Sequence, residues 1–181
     1  LNGPQSTLFG KNASAGVISV VTKEPQYEFG GIVEASYGNF NAFVLRGEVT
    51  GPISENIAFS IDGSYNRRDG YAEIVNLNED ISERNRWSAR GQLLIEPSPD
   101  LKIRAIADYS KIDEACCQVS TLVAGPTAAA IRAVGGNLDT NFFSYNTFLN
   151  QVPENVVDNY GGSIQGDLEL GALSLTSITS Y

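Results

Sequence analysis

From Tyr27 onward, apolar and polar residues alternate with period two, in segments of about ten residues. In 27–37, Tyr27, Phe29, Gly31, Val33, Ala35 and Tyr37 share one parity, and Glu28, Glu34 and Ser36 take the other. The next segment sets Phe43, Leu45 and Val49 against Arg46 and Glu48. The third sets Ile57, Phe59, Ile61 and Tyr65 against Ser60, Asp62 and Asn66. Trp87, Ala89, Leu93 and Ile95 then oppose Arg90, Gln92 and Glu96. Leu101, Ile103, Ala105, Ala107 and Tyr109 oppose Lys102, Arg104 and Asp108. Tyr160, Ile164, Leu168 and Leu170 oppose Gln165, Asp167 and Glu169. A weaker seventh segment, 173–181, has Ile178 out of phase with Leu173 and Leu175. The pattern predicts about seven β-strands, each with an apolar and a polar face.

Every charged residue in these strand cores falls on the polar parity. A soluble sandwich tolerates an occasional Lys or Glu at the rim of its apolar face. Hydrocarbon does not, because Arg or Lys near mid-bilayer costs roughly 2–4 kcal/mol. The strict exclusion therefore predicts a lipid-facing surface, with Glu28, Glu34, Arg46, Glu48, Asp62, Arg90, Lys102, Arg104, Asp108, Asp167 and Glu169 facing a lumen.

Connection lengths agree. The turns after strands two, four and six are short (GPISEN, PSPD, GA), while those after strands three and five run over 67–85 and 111–157. Short and long connections thus gather at opposite ends of the sheet, as in outer-membrane barrels; only the tight turn after strand one breaks the rule. Aromatic residues also cluster near strand ends, Tyr27 and Phe29 at one rim and Tyr37, Tyr65, Trp87, Tyr109 and Tyr160 at the other.

Composition narrows the chemistry. Of the 181 residues, 42% are apolar and 18% charged, and the net charge of −9 argues against a nucleic-acid partner. Histidine is absent, which removes His-based triads, His general bases and most zinc sites. No enzyme chemistry and no cofactor are expected, and no catalytic or metal-ligating set is assigned. No apolar run reaches the ~20 residues of a membrane helix. Methionine is also absent, so an internal piece of a longer chain is expected.

The N-terminal stretch GPQSTLFGKNASAGVISVVTKEP, residues 3–25, fits neither a P-loop nor a nucleophile elbow by spacing. It resembles the end of the plug domain in TonB-dependent outer-membrane receptors, siderophore receptors among them. The resemblance rests on Gly3, Pro4, Gln5, Thr7, Leu8, Gly10, Asn12, Gly16, Ile18, Val21, Thr22, Lys23 and Pro25, with Phe9 and Lys11 as conservative replacements. Ser6 and Ala15 stand where that pattern has glycine. Read alone, the run 16–23 is β-branched and apolar on both faces, as for a strand buried in a plug, and Pro25 ends it. Lys11 and Lys23 are expected to pair with lumen carboxylates such as Glu28, Glu34 or Glu48.

The resemblance implies an all-β fold: residues 1–25 end the plug, and 26–181 begin an antiparallel transmembrane β-barrel, about seven strands of a larger plugged one. It implies a bacterial outer-membrane location, with lipid, the TonB protein (through an upstream segment) and a small-molecule or metal-chelate ligand as partners. Its function would be energy-coupled import of a scarce nutrient, most often a ferric siderophore. A passive porin-like or adhesin barrel, and a soluble all-β carbohydrate-binding protein or enzyme, remain as alternatives.

Ligand contact is expected in the long loops, through Arg67, Arg68 and Tyr71 in the first and Phe142, Phe143, Tyr145 and Phe148 in the second. The second loop also carries a predicted short helix over 126–134, stopped by Gly135. Adjacent Cys116 and Cys117 leave two readings: a vicinal disulfide clipping the loop in an oxidising compartment, or a thiolate metal pair.

Overall fold

The computed structural model describes residues 3, 15–16, 18, 21–117 and 121–181. Seven strands form one antiparallel sheet: β1 (Gly30–Gly38), β2 (Ala42–Ser54), β3 (Ile57–Arg68), β6 (Arg84–Ser98), β7 (Leu101–Ala115), β9 (Glu154–Leu170) and β10 (Leu173–Ser180), in that spatial order. A second, three-stranded sheet has the order β5 (Glu79–Ile81), β4 (Ala72–Ile74), β8 (Asn146–Thr147). Helix α1 (Thr127–Ala133) lies where the sequence predicts it, and Gly135 follows at φ 83°, the left-handed stop that glycine supplies.

The register assembles the predicted faces. Glu48 pairs with Asp62, Asp62 with Arg90 and Arg90 with Asp108, all on one face. The opposite face carries Ile57, Ile95 and Ile103 in one row and Phe59, Leu93, Ala105 and Ile164 in the next. No second layer covers this apolar face among the described residues: Val33 is 77% exposed, Ile61 55% and Ile164 59%. Water solvates such side chains poorly, whereas the hydrocarbon of a bilayer would solvate them.

Aromatic residues on that outer face fall on a descending diagonal. Tyr37 and Phe43 are partners across β1–β2, and their row continues to Arg67 on β3. Two residues lower, Tyr65 pairs with Trp87, in a row that continues to Lys111 and Asp158. Two residues lower again, Tyr109 pairs with Tyr160. Charged outer-face residues Arg67, Lys111 and Asp158 thus stand just beyond the aromatics of their own strands, on the long-loop side. Ring centroids of Trp87 and Tyr109 lie 4.9 Å apart, and the Tyr109 hydroxyl donates to Asp158.

Several boundaries differ from expectation. The first strand begins at Gly30 rather than Tyr27. Pro52 and Pro97, assigned to turns by sequence, lie within β2 and β6, each at a break in register. Proline lacks a ladder donor, and an irregularity in pairing removes the need for one. The connections shrink to residues 55–56 and 99–100 at one end and to 69–83 and 116–153 at the other, while 171–172 stays as expected. Ile178 pairs with Gln165, on the inner face, which accounts for its lost phase.

Residues 21–26 are not a strand, and Ile18 and Val21 are 94% and 83% exposed; residues 17, 19 and 20 of the run 16–23 lie outside the described residues. Residues 22–26 lie instead against the inner face of the sheet. Arg104 donates through Nη2 to the Thr22 carbonyl (3.1 Å) and hydroxyl (2.7 Å). Lys102 Nζ reaches Glu24 Oε2 at 2.6 Å, Gln92 Nε2 donates to the Lys23 carbonyl at 3.4 Å, and the Gln26 amide donates to Thr50 Oγ1 at 2.8 Å. Beneath it Ala58, Leu94, Ser60, Gln92 and Thr50 are buried, all inner-face positions. The expected pairing of Lys23 with a lumen carboxylate is replaced by the reverse polarity, sheet cations holding the segment; Glu34 lies 4.0 Å from Arg46 instead. Pro4, Gln5, Thr7, Leu8, Gly10, Lys11 and Asn12 lie outside the described residues.

Candidate functional site: a cavity at the long-loop end

The two long connections pack on each other. Ala72, Ile74 and Ile81 are buried at 2%, 0% and 0% exposure, with Ala115, Leu149 and Val152 against them. β4 takes β5 as antiparallel and β8 as parallel neighbour, so a strand from each loop joins one sheet. Asn76 fixes the second loop by exchanging side-chain bonds with the Leu149 backbone, 2.7 and 3.1 Å. Gly70 permits the return of β5, since a Cβ there would lie 2.8 Å from the Ile81 carbonyl oxygen.

Between this sheet and the ends of β3, β6 and β7 lies a cavity of about 450 Å³. Arg68, Arg84 and Arg86, Glu83 and Glu114, Tyr71 and Tyr145, Ser82, Cys116 and Cys117 line it. Arg68 and Arg84 are direct cross-strand partners and share the parity of Asp62 and Arg90, so the cavity opens on the sheet's inner side. Arg68 Nη2 donates to the Ser82 carbonyl at 2.6 Å, and its guanidinium carbon sits 4.9 Å from the Tyr71 ring centroid. Tyr71 meets Tyr145 edge-on at 5.8 Å and Phe40 at 6.1 Å.

The two carboxylates in the wall are committed elsewhere. Buried Glu114 takes a bidentate grip from Arg86, 2.5 and 2.8 Å, and a bond from the Asn85 amide at 3.3 Å. Glu83 accepts the Ala115 amide at 3.0 Å. Cys116 and Cys117 are joined as a disulfide, and the Cys116 amide donates to the Pro153 carbonyl at 3.0 Å. Farther along the second loop, the Asp139 carboxyl is held below the usual range by the Ser144 hydroxyl and by the Asn141 amide it accepts.

The structure therefore brings Arg68, Tyr71 and Tyr145 together and separates the rest. Arg67 takes the opposite parity, on the outer face, 4.0 Å from Asp69. Phe143 is 78% exposed on the 3-10 turn Phe142–Ser144, and Phe148 is half-buried away from the cavity lining. The side chain of Phe142 lies outside the described residues. Sequence reading missed Phe40, Glu83, Arg84, Arg86 and Glu114. Three arginines and Glu114 at strand ends of one parity were the available signal, hidden because 67–85 and 111–157 read as solvated loops.

No family model matches the chain. Among curated proteins, it is 27% identical over 108 residues to the ferrioxamine B receptor of Salmonella typhimurium, covering 54% of this chain and 15% of that protein. It is 32% identical over 59 residues to the pesticin receptor of Yersinia pestis, covering 33% and 9%. Over 119 residues it is 24% identical to the iron-regulated outer membrane virulence protein of Vibrio cholerae, covering 62% and 18%. Among solved structures, the ferric yersiniabactin uptake receptor FyuA of Yersinia pestis superposes with a TM-score of 0.81 at 16% identity, over 99% of this chain and 27% of that one. In sequence and in fold, this chain resembles TonB-dependent outer-membrane receptors. The ferripyoverdine receptor of Pseudomonas aeruginosa agrees, with a TM-score of 0.66 at 21% identity, over 93% and 20%. The receptor resemblance, the antiparallel barrel fold and the outer-membrane location read from the sequence are thereby borne out. The chain spans less than a fifth of the length of these curated receptors.

Proposed function

We propose that this protein is an energy-coupled importer of a ferric siderophore, with residues 1–25 as the end of its plug and 26–181 as the start of its barrel. The observation that carries the reading is a division of labour across one sheet. Its outer face is apolar up to a descending line of aromatics, and its inner face grips residues 22–26 through Gln92, Lys102 and Arg104. Its long-loop end holds a polar, aromatic-lined cavity. The relatives named for ferrioxamine and ferric yersiniabactin support iron chelates as the cargo class. TonB would supply the pull that moves the plug, and the bonds to 22–26 would be among those that hold it at rest. Nothing in this reading requires covalent chemistry from the protein.

The test is uptake of radioactive iron supplied as a panel of hydroxamate, phenolate and mixed chelates, in cells with the gene, without it, and without TonB. Uptake of one chelate that needs both the gene and TonB is expected. Uptake that needs the gene but survives loss of TonB would replace the reading with a passive barrel.

A further inference from the structure

Arg68 and Arg84 face each other directly across β3–β6. Like charges directly opposite each other destabilise a strand pair. Among the described residues neither Arg68 nor Arg84 forms a direct ion pair within 4.0 Å, and Glu114 is felt by Arg84 only from a distance. The nearby carboxylates make their hydrogen bonds to other groups, Glu114 to Arg86 and Glu83 to the Ala115 amide, although Glu114 also attracts Arg84 at longer range. Arg68 is also left with a defect. Its Nε is buried and has no hydrogen-bond partner, although Nη2 is satisfied by Ser82. A buried guanidinium N–H without an acceptor is costly, and the guanidinium fork suits the two oxygens of a carboxylate.

The surroundings specify what carries the anion. Tyr71 stacks beneath the Arg68 guanidinium and Tyr145 meets Tyr71 edge-on, so the wall beside the cations is aromatic and both rings remain partly exposed, 39% and 50%. The disulfide of Cys116 and Cys117 adds a further apolar patch to the same cavity. An apolar wall next to two cations without direct ion pairs fits a flat ring bearing an acidic oxygen pair better than a bare inorganic anion.

We propose that this cavity is an anion site for an aryl carboxylate group, with Arg84 and Arg68 taking the carboxylate and Tyr71 and Tyr145 the ring. The inference rests on the receptor reading for its setting, as part of the chelate the protein would capture, but its chemistry stands on this chain's residues. Arg84 is the residue that reports on it, because Arg68 also supports the Ser82 backbone and Arg86 is engaged by Glu114.

The experiment is 19F NMR of 4-fluorobenzoate, with neutral 4-fluorobenzamide beside it, added to the intact protein in detergent micelles. Broadening of the benzoate resonance is expected for the wild type, at least fivefold greater than for the amide. Arg84→Gln should lose it, Arg84→Lys should restore part of it, and Arg132→Gln on the exposed helix should leave it unchanged. Heat-modifiable gel mobility verifies that each variant retains its barrel. Equal broadening of benzoate and benzamide, or no loss with Arg84→Gln in a folded barrel, would overturn the site. Iron uptake that fails while the Arg84-dependent benzoate signal persists would sink the importer reading alone; uptake that succeeds without that signal would sink this one alone.

Discussion

Placing arginine at Ile61 probes which solvent the outer face meets. Ile61 is 55% exposed on that face, four residues from Tyr65 in the aromatic line and four from Ile57 at the opposite end of β3. At about 3.3 Å per residue it is roughly 13 Å along the strand from either, so it sits near mid-depth of the apolar band. Arginine there costs about 2–4 kcal/mol if the surroundings are lipid, or about thirty- to several-hundred-fold in the folding equilibrium. In water the same exposed position would change stability by less than about 0.5 kcal/mol. The chain holds its own reference, since Arg67 occupies the same face six residues nearer the long loops. The assay is reversible urea unfolding in phospholipid vesicles of Ile61→Arg and Arg67→Ala, with Ile61→Ala giving the lost packing alone. If Ile61→Arg unfolds at the same urea concentration as Ile61→Ala, this face is not in hydrocarbon and the barrel argument fails.

Three further outcomes follow from the contacts. Arg104→Ala removes the bonds to Thr22, worth about 1–3 kcal/mol for a charged donor; trypsin cleavage after exposed Lys23 should quicken about tenfold, and an unchanged rate would deny that the sheet holds 22–26. Ile74→Ala empties a fully buried position in the loop core and should cost about 2–5 kcal/mol locally, seen as faster hydrogen exchange at Val75 and Leu149 with an unchanged barrel unfolding midpoint. Gly70→Ala forces a Cβ to within 2.8 Å of the Ile81 carbonyl, so β5 must shift; ligand binding should weaken while heat-modifiable mobility of the barrel stays normal.

The sheet was readable from sequence because each face has a single solvent. Strand parity and charge exclusion then carry the same information, as Ile61 beside Asp62 and Leu93 beside Gln92 show. The ends were less readable. Pro52 and Pro97 read as turns because a register break that accommodates proline leaves no mark in composition. The site was half legible: Arg68, Tyr71 and Tyr145 stood out as loop aromatics and cations. The sheet shared by both loops rests on Ile74, Ile81 and Leu149, too few and too separated to show a period. Arg84 and Glu114 gain meaning only from cross-strand register, which joins residues far apart in the chain.

The stepped aromatic line on the outer surface has a geometric consequence. Between successive strand pairs it drops by two residues, about 6.6 Å along a strand, while the pairs are spaced by two strands, about 9.6 Å across. If those rings lie at one height in the bilayer, the strands lean by roughly 35° from the membrane normal, within the slope that closed membrane barrels adopt. The side chains of Tyr37, Trp87 and Tyr160 thus encode, in their spacing alone, the inclination of the wall they belong to.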